Sequence, residues 1–223
     1  YRKENKIILK SECFFKDVID NGYFVQVDSI MQVGHNFMQR QDGSFRDTQL
    51  LSPILFLLLE TIGLNIFKGI DVKENRPIEV YHSGNYQENS VHYRNNYVKF
   101  YSRIKDLAKD FDRYVKIDIK NFFPSINLNI LFNQISEKNT KLTEVDYFFM
   151  REFLLYLGEG KYPVIENSTA LSYLATMIYL EKSDDLLSKY LNELDWIDEW
   201  KAVRFVDDLY VFYNSNIIDN STN

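Results

Sequence analysis

Two places in the 223-residue sequence set ionisable carboxylates inside apolar, strand-like runs. Asp118 sits in Tyr114-Val115-Lys116-Ile117-Asp118-Ile119. Asp207 and Asp208 separate Ala202-Val203-Arg204-Phe205-Val206 from Leu209-Tyr210-Val211-Phe212. A carboxylate in such a run is costly unless it is paired or bound to a cation. Three that converged would repel one another, and divalent cations would relieve the repulsion. Magnesium suits the arrangement, because it is held by one or two carboxylates together with substrate phosphate oxygens. Two such ions, held by Asp118, Asp207 and Asp208, would lower the barrier for in-line phosphoryl transfer by activating a 3′ hydroxyl and stabilising a leaving pyrophosphate. Acidic pairs are also common as plain turns, and Asp184-Asp185 reads as a solvated stretch late in a helix or just after it. The apolar sequence on both sides of Asp207-Asp208 favours the chemical reading there. His35, His82 and His92 lack the mutual spacing of a zinc site and read as structural or surface residues. No serine or cysteine nucleophile constellation stands out, and Gly84 belongs to no phosphate-cradling glycine loop.

Carboxylates can converge only if the strands that carry them end side by side. The run 114–119 is ended by Asn121-Phe122-Phe123-Pro124-Ser125, and 202–212 reads as a hairpin with its acids at the tip. Helical spacing is expected over 14–19, stopped by Asn21-Gly22, and over 53–67, with Pro53 where a first-turn proline is tolerated. It returns over 98–112, 128–136, 146–157 and 168–191. Asp42-Gly43 between 35–40 and 44–50 is the strongest hairpin signal, whereas 73–91, punctuated by Pro77 and Gly84, is expected to be loop-rich. No repeat or low-complexity tract is present.

With 45% hydrophobic and 26% charged residues, the composition is globular and supports one good-sized core or two small ones. The net charge of −6 runs mildly against nucleic-acid binding, although carboxylates that hold metals count as negative in a tally and are neutralised in a working site. The single cysteine, Cys13, can form no internal disulfide and no leader opens the sequence, which predicts a reducing cytoplasm. The apolar run 50–59 is broken by Ser52 and Pro53, is too short for a bilayer and reads as a buried helix, so no membrane is expected. The sequence starts at Tyr1 and stops soon after Asp208, and it reads as a piece of a longer protein.

Val115-Lys116-Ile117-Asp118-Ile119-Lys120-Asn121-Phe122-Phe123-Pro124-Ser125-Ile126 resembles the first palm motif of bacterial reverse transcriptases. Arg204-Phe205-Val206-Asp207-Asp208 is similar to their double-aspartate motif, with phenylalanine for the usual tyrosine. The resemblance implies an α+β right-hand polymerase with an antiparallel palm sheet packed on helices. Residues 1–110 would be mostly fingers and 111–223 palm with the interleaved helix segment, the thumb not being included. It also implies that Phe123 lies under the incoming sugar and leaves no space for a 2′ hydroxyl, while Phe122 is core.

Arg40-Gln41-Asp42-Gly43-Ser44-Phe45-Arg46 resembles the fingers hairpin, in which Arg40 and Arg46 would grip the triphosphate. Independently of any family, a guanidinium offers phosphate oxygens a bidentate fork. Glu166-Asn167-Ser168-Thr169-Ala170-Leu171-Ser172-Tyr173 occupies the place of the family's Pro-Gln-Gly segment, and Ile178-Tyr179-Leu180 matches its end. Asn167 is the candidate nucleotide contact. Ser168 stands where glycine is usual, and Glu166 and Tyr173 where prolines are expected, so templated and template-independent synthesis both stay open. Asn21-Gly22-Tyr23-Phe24 looks like the opening of the abortive-infection and related antiviral branch, some members of which prime on a tyrosine of their own. The implied activity is RNA-directed or template-independent DNA polymerisation in bacterial antiviral defence. It would use two Mg2+ ions, deoxynucleoside triphosphates, an RNA or DNA template-primer or its own tyrosine, and further copies of the chain as partners. The alternatives are a retron- or group II intron-type enzyme that copies a bound RNA, and a palm kept as a nucleic-acid-binding or assembly scaffold.

Overall fold

The computed structural model describes residues 12–14, 16, 33–39, 43–70, 76–86, 93–139 and 141–216. The Asn21-Gly22-Tyr23-Phe24 motif, Arg40, Asp42 and His92 lie outside them, as does most of the helix expected over 14–19. The chain divides into two compact units, Tyr1–Leu59 and Glu60–Asn223.

The first unit contains a helical turn, α1 (Glu12–Phe14), and the antiparallel ladder of β1 (Val33–Gln39) and β2 (Phe45–Leu51). Gly43 has φ 82°, the left-handed conformation for which glycine carries no steric cost, in the connection where the hairpin was expected. The helix α2 (Pro53–Gly69) follows. It opens with Pro53 at its first position and with the Ser52 hydroxyl accepting from Leu55 N at 3.4 Å. Leu55, Leu59, Ile62 and Ile66 form its buried stripe, while Leu57 is exposed. The apolar run 50–59 is therefore buried along one stripe only, not all round.

The second unit is built on a four-stranded sheet of β3 (Ile78–Tyr81), β4 (Arg113–Ile117), β5 (Ile197–Phe205) and β6 (Asp208–Ser215), in the order β3-β5-β6-β4. Strands β4, β6 and β5 pair antiparallel, but β3 runs parallel to β5. The sheet is mixed, which corrects the expectation of an antiparallel one. The extra strand comes from the segment expected to be loop. Its alternation of Ile78 and Val80 with Glu79 and Tyr81 is a period-two pattern only four residues long, bracketed by Pro77 and Gly84.

Helices α3 (Tyr93–Asp110), α4 (Phe122–Ser125), α5 (Leu128–Lys138), α6 (Glu144–Leu157) and α7 (Thr169–Tyr173) follow, then a π-helical segment, Leu174–Tyr179, and α8 (Glu181–Asn192). The single helix expected over 168–191 is thus three consecutive pieces. The Thr143 hydroxyl and the Asp146 carboxylate form a reciprocal capping box that starts α6. One face of the sheet packs Ile78, Ala202, Leu209 and Val211 against Leu191 of α8. The other packs Val203 and Phe212 against Phe100 and Leu107 of α3. Burial on both faces explains why β5 and β6 read as near-continuous apolar runs around their acids. Among the described residues no helix is long and apolar enough to cross a membrane.

Candidate active site

The three aspartates gather at one end of the sheet. Strands β4 and β6 are registered with Ile117 opposite Leu209, so Asp118, the residue just beyond the end of β4, comes abreast of Asp208, the first residue of β6. On the far side of β6 the register with β5 pairs Phe205 with Asp208, leaving Val206 and Asp207 as a two-residue turn. Because β3 is parallel to β5, with Tyr81 opposite Phe205, the carboxyl end of β3 comes to the same edge. Asp118 is exposed, and Asp207 and Asp208 are half-buried.

The turn that carries Asp207 is strained. Val206 has φ 55°, a left-handed conformation that glycine adopts readily and a β-branched residue adopts only under constraint. Both of its peptide groups are fastened: Val206 N donates to Tyr81 O at 3.2 Å, and Arg204 Nη1 donates to Val206 O at 2.6 Å. Arg204 is itself 2% exposed. Its Nε and Nη2 donate to the two Asp184 carboxylate oxygens at 3.1 and 2.5 Å, and Nη2 also donates to the Thr176 carbonyl at 3.0 Å. Asp184 lies in the first turn of α8 and is buried. It is therefore an interior ion-pair partner, not the solvated acid expected from the sequence. Beside it, Arg76 donates to Met177 O at 2.7 Å and to Glu181 Oε1 at 3.1 Å, and Lys138 pairs with the other oxygen of Glu181.

On the solvent side, Lys116 Nζ lies 2.8 Å from Asp208 Oδ1 and 5.5 Å from the centre of the Tyr210 ring. The hydrogen bond to Asp208 holds the Lys116 ammonium above its ordinary range. Tyr97 packs edge-on to Phe205 with ring centres 5.1 Å apart, and its hydroxyl donates to that of Tyr101 at 3.2 Å. That hydrogen bond, then partial burial and the nearby Tyr101 and Asp208, push the Tyr97 phenol up to about 12.

An all-oxygen donor set at a solvent-facing strand end fits magnesium, which takes one or two carboxylates and completes its shell with water and phosphate oxygens. Asp118 and Asp207 would hold it, while Asp208 is already engaged by Lys116. Among the described residues no group of three or more His, Cys, Asp and Glu side chains that could hold a metal ion is found, so Asp118, Asp207 and Asp208 do not form a three-carboxylate cluster.

Phe122 is buried, as expected, and Phe123 is half-buried, because the two consecutive rings of α4 point in different directions. Phe123 stacks on Tyr162, with ring centres 6.1 Å apart and planes 15° from parallel. Tyr162 is fully buried and donates to Leu171 O at 2.5 Å, so Phe123 is braced through it on α7. Asn167 is exposed with φ 59°, a conformation asparagine tolerates, immediately before the α7 cap. That cap is Ser168, whose hydroxyl accepts from Leu171 N at 3.2 Å and donates to Glu60 Oε1 at 2.7 Å. Ala170 N also donates to Glu60 Oε1, at 3.3 Å, and burial is the dominant influence that raises the Glu60 carboxyl. Gly63 and Gly84 permit this packing, since a Cβ on Gly63 would overlap Tyr86 and Ala170, and one on Gly84 would overlap Thr169. Arg46 is exposed on β2 opposite Met38, in the other unit. His82 is half-buried against Tyr173 with Nδ1 3.0 Å from Ser83 O, and desolvation pushes its imidazole down.

Sequence reasoning missed Lys116, Arg204, Asp184 and Glu60. Lys116 was legible in principle, since residues two apart on a strand share a face. Arg204 carried a signal too, as a cation inside an apolar run that needs a buried partner. No family model matches the chain, and no curated protein matches it.

Proposed function

We propose that the chain is the palm and part of the fingers of a reverse-transcriptase-like nucleotidyl transferase. It adds deoxynucleotides to a 3′ hydroxyl, or to a hydroxyl of its own tyrosines at initiation, in bacterial antiviral defence. The observation that carries this reading is the strand register that sets Asp118 abreast of Asp208 with Asp207 on the adjoining turn. Carboxylates ninety positions apart in sequence come to one strand end that faces solvent, where their oxygens stay open to a cation. Magnesium, when bound there, supplies positive charge to the attacking and leaving oxygens. The residues of the chain do the rest. Asp118 and Asp207 present oxygens from two adjacent strand ends, and Lys116 pairs with Asp208. Phe123, braced by Tyr162, occupies the space that a 2′ hydroxyl would need. Asn167 contacts the nucleotide from the turn that Glu60 and Ser168 fasten.

A second reading, a palm retained as a nucleic-acid-binding or assembly scaffold, is favoured by one observation. The Lys116–Asp208 pair already neutralises one of the carboxylates. The two are separated by incubating the full-length protein with magnesium and labelled deoxynucleotides, with and without RNA or DNA template. Label entering DNA or protein with wild type and not with Asp207→Asn supports the transferase. Product that needs no template, after nuclease treatment to exclude co-purified RNA, supports the template-independent branch. Label absent from both proteins supports the scaffold.

A further inference from the structure

Arg204 takes no part in the chemistry proposed above, yet it is the most heavily tied side chain beneath the Asp207 turn. The turn it touches adopts a conformation that valine does not hold by itself. Residues in such conformations persist only where their surroundings over-determine them. Here the surroundings are two hydrogen bonds, one that the N–H of Val206 donates to the Tyr81 carbonyl at the end of β3 and one that its own carbonyl accepts from Arg204. The Val206 carbonyl belongs to the peptide that carries Asp207 N, so turning that peptide turns the Asp207 carboxylate with it. The guanidinium cannot shift to follow, because Asp184 on α8 and the Thr176 carbonyl in the π-helical segment fix it on its other edges.

We infer that Arg204 is a positioning residue that locks the strained Val206 turn and thereby aims Asp207 at the cation site. The inference rests on the reading of the strand end given above. It assigns the buried Asp184–Arg204 pair a purpose beyond stability, for a hydrophobic pair of similar volume would pack that region at least as well. Lysine would keep the charge and lose the fork. Of the acceptors that the guanidinium reaches at once, an ammonium would have to give up either Asp184 or Val206 O.

The test uses full-length wild type, R204K, V206G, R204K/V206G and D207N. Mn2+ affinity is read from the EPR signal of free Mn2+, the kinetic constants from deoxynucleotide incorporation, and folding from thermal unfolding. The inference expects R204K, measured at a temperature where it is fully folded, to bind Mn2+ about tenfold more weakly. Its kcat should fall about 10- to 100-fold, the usual range when a residue supporting a ligand is lost, with the deoxynucleotide KM within about twofold of wild type. Glycine holds the left-handed turn without help, so V206G, although it loses stability with its buried side chain, should change Mn2+ affinity and kcat little alone and should restore a large part of the R204K loss in both. If R204K matches wild type in Mn2+ affinity and kcat, or if V206G and R204K act additively, Arg204 is a structural residue and the inference is overturned. If wild type neither binds Mn2+ more tightly than D207N nor incorporates nucleotide, the reading of the strand end falls first and this inference falls with it.

Discussion

Two groups of charged residues lie on opposite sides of one short turn, and they live in different physical regimes. Beneath it, Arg204 and Asp184 are almost completely buried, and Arg76 and Lys138 converge on Glu181 close by. Burial outweighs even the neighbouring arginines and raises the Asp184 carboxyl above its ordinary range. Above the turn, Asp118 is exposed, Asp207 and Asp208 are half-exposed, and water screens their repulsion. Burial therefore separates roles that residue type does not. The lower charges are each other's ligands and hold backbone in place. The upper ones keep oxygens available to something that arrives from solvent.

The sharpest way to break this contrast is to neutralise each side in turn. Asp118→Asn and Asp207→Asn, each alone, should lower deoxynucleotide incorporation on the order of 10³-fold, in keeping with the loss of one charge-stabilising group at a reacting centre. Their stability should stay within about 0.5 kcal/mol of wild type in urea unfolding, as for surface changes generally. Asp184→Asn should differ by acting first on folding. It leaves the Arg204 guanidinium buried without its counter-charge, and the expected cost is about 3–5 kcal/mol in the same unfolding measurement. The double replacement Asp184→Leu with Arg204→Met should cost less than Asp184→Asn alone, because no unpaired charge remains. Stability losses of equal size above and below the turn would erase the distinction.

Glu60 sharpens the comparison because it is a half-buried carboxylate with neutral partners, hydrogen-bonded by Ser168, Ala170 and Tyr86. Burial raises its folded pKa above the unfolded value, so the folded chain binds this proton more tightly than the unfolded chain does. The contribution is then most favourable below the ordinary glutamate range, roughly pH 4, and is lost as pH rises through the raised value. Glu60→Gln keeps an acceptor for Ser168 and Ala170 and has no charge to desolvate. The urea midpoint of this variant should decline less than that of wild type as pH rises from the ordinary glutamate range, roughly pH 4, through the raised value. Parallel curves would mean that Glu60 titrates as if it were in water.

The contrast also marks where sequence was informative. The apolar runs around Asp118 and Asp207-Asp208 revealed strands ending in carboxylates, because acids interrupt a run of strand-forming apolar residues visibly; that β4 is exposed along its whole length while β5 and β6 are partly buried was not legible. Most helices were legible from apolar spacing. Strand β3 was not, since four residues between a proline and a glycine carry too little periodicity and its pairing with β5 spans more than a hundred positions. Asp184 was misread because a helix-start acid looks the same whether it faces water or a buried arginine. Only the fold brings Arg204 to it from twenty positions away. The break of the 168–191 helix into a π-helical middle has no composition signal, because the freed carbonyls of Thr176 and Met177 are taken by arginines remote in sequence. Long-range pairing set what local pattern did not.

The smallest expected effect lies at Lys116, which stands on the boundary between the two regimes. Its ammonium pairs with Asp208, and both side chains are more than a third exposed, so the pair contributes at most about 1 kcal/mol to folding. Lys116→Met should leave thermal stability nearly unchanged. Its effect belongs to the cation site instead. Removing a positive charge beside Asp208 makes the strand end more negative, and binding of Mn2+, read by EPR, should tighten by about two- to fivefold, the factor equivalent to an exposed ion pair. Interactions between exposed charges are screened by salt, so the gain should shrink when ionic strength rises from roughly 0.05 to 0.5 M. Weaker binding in Lys116→Met would mean that Lys116 orients Asp208 as a ligand, and the neutralised carboxylate would move from the supporting side of the comparison to the reacting one.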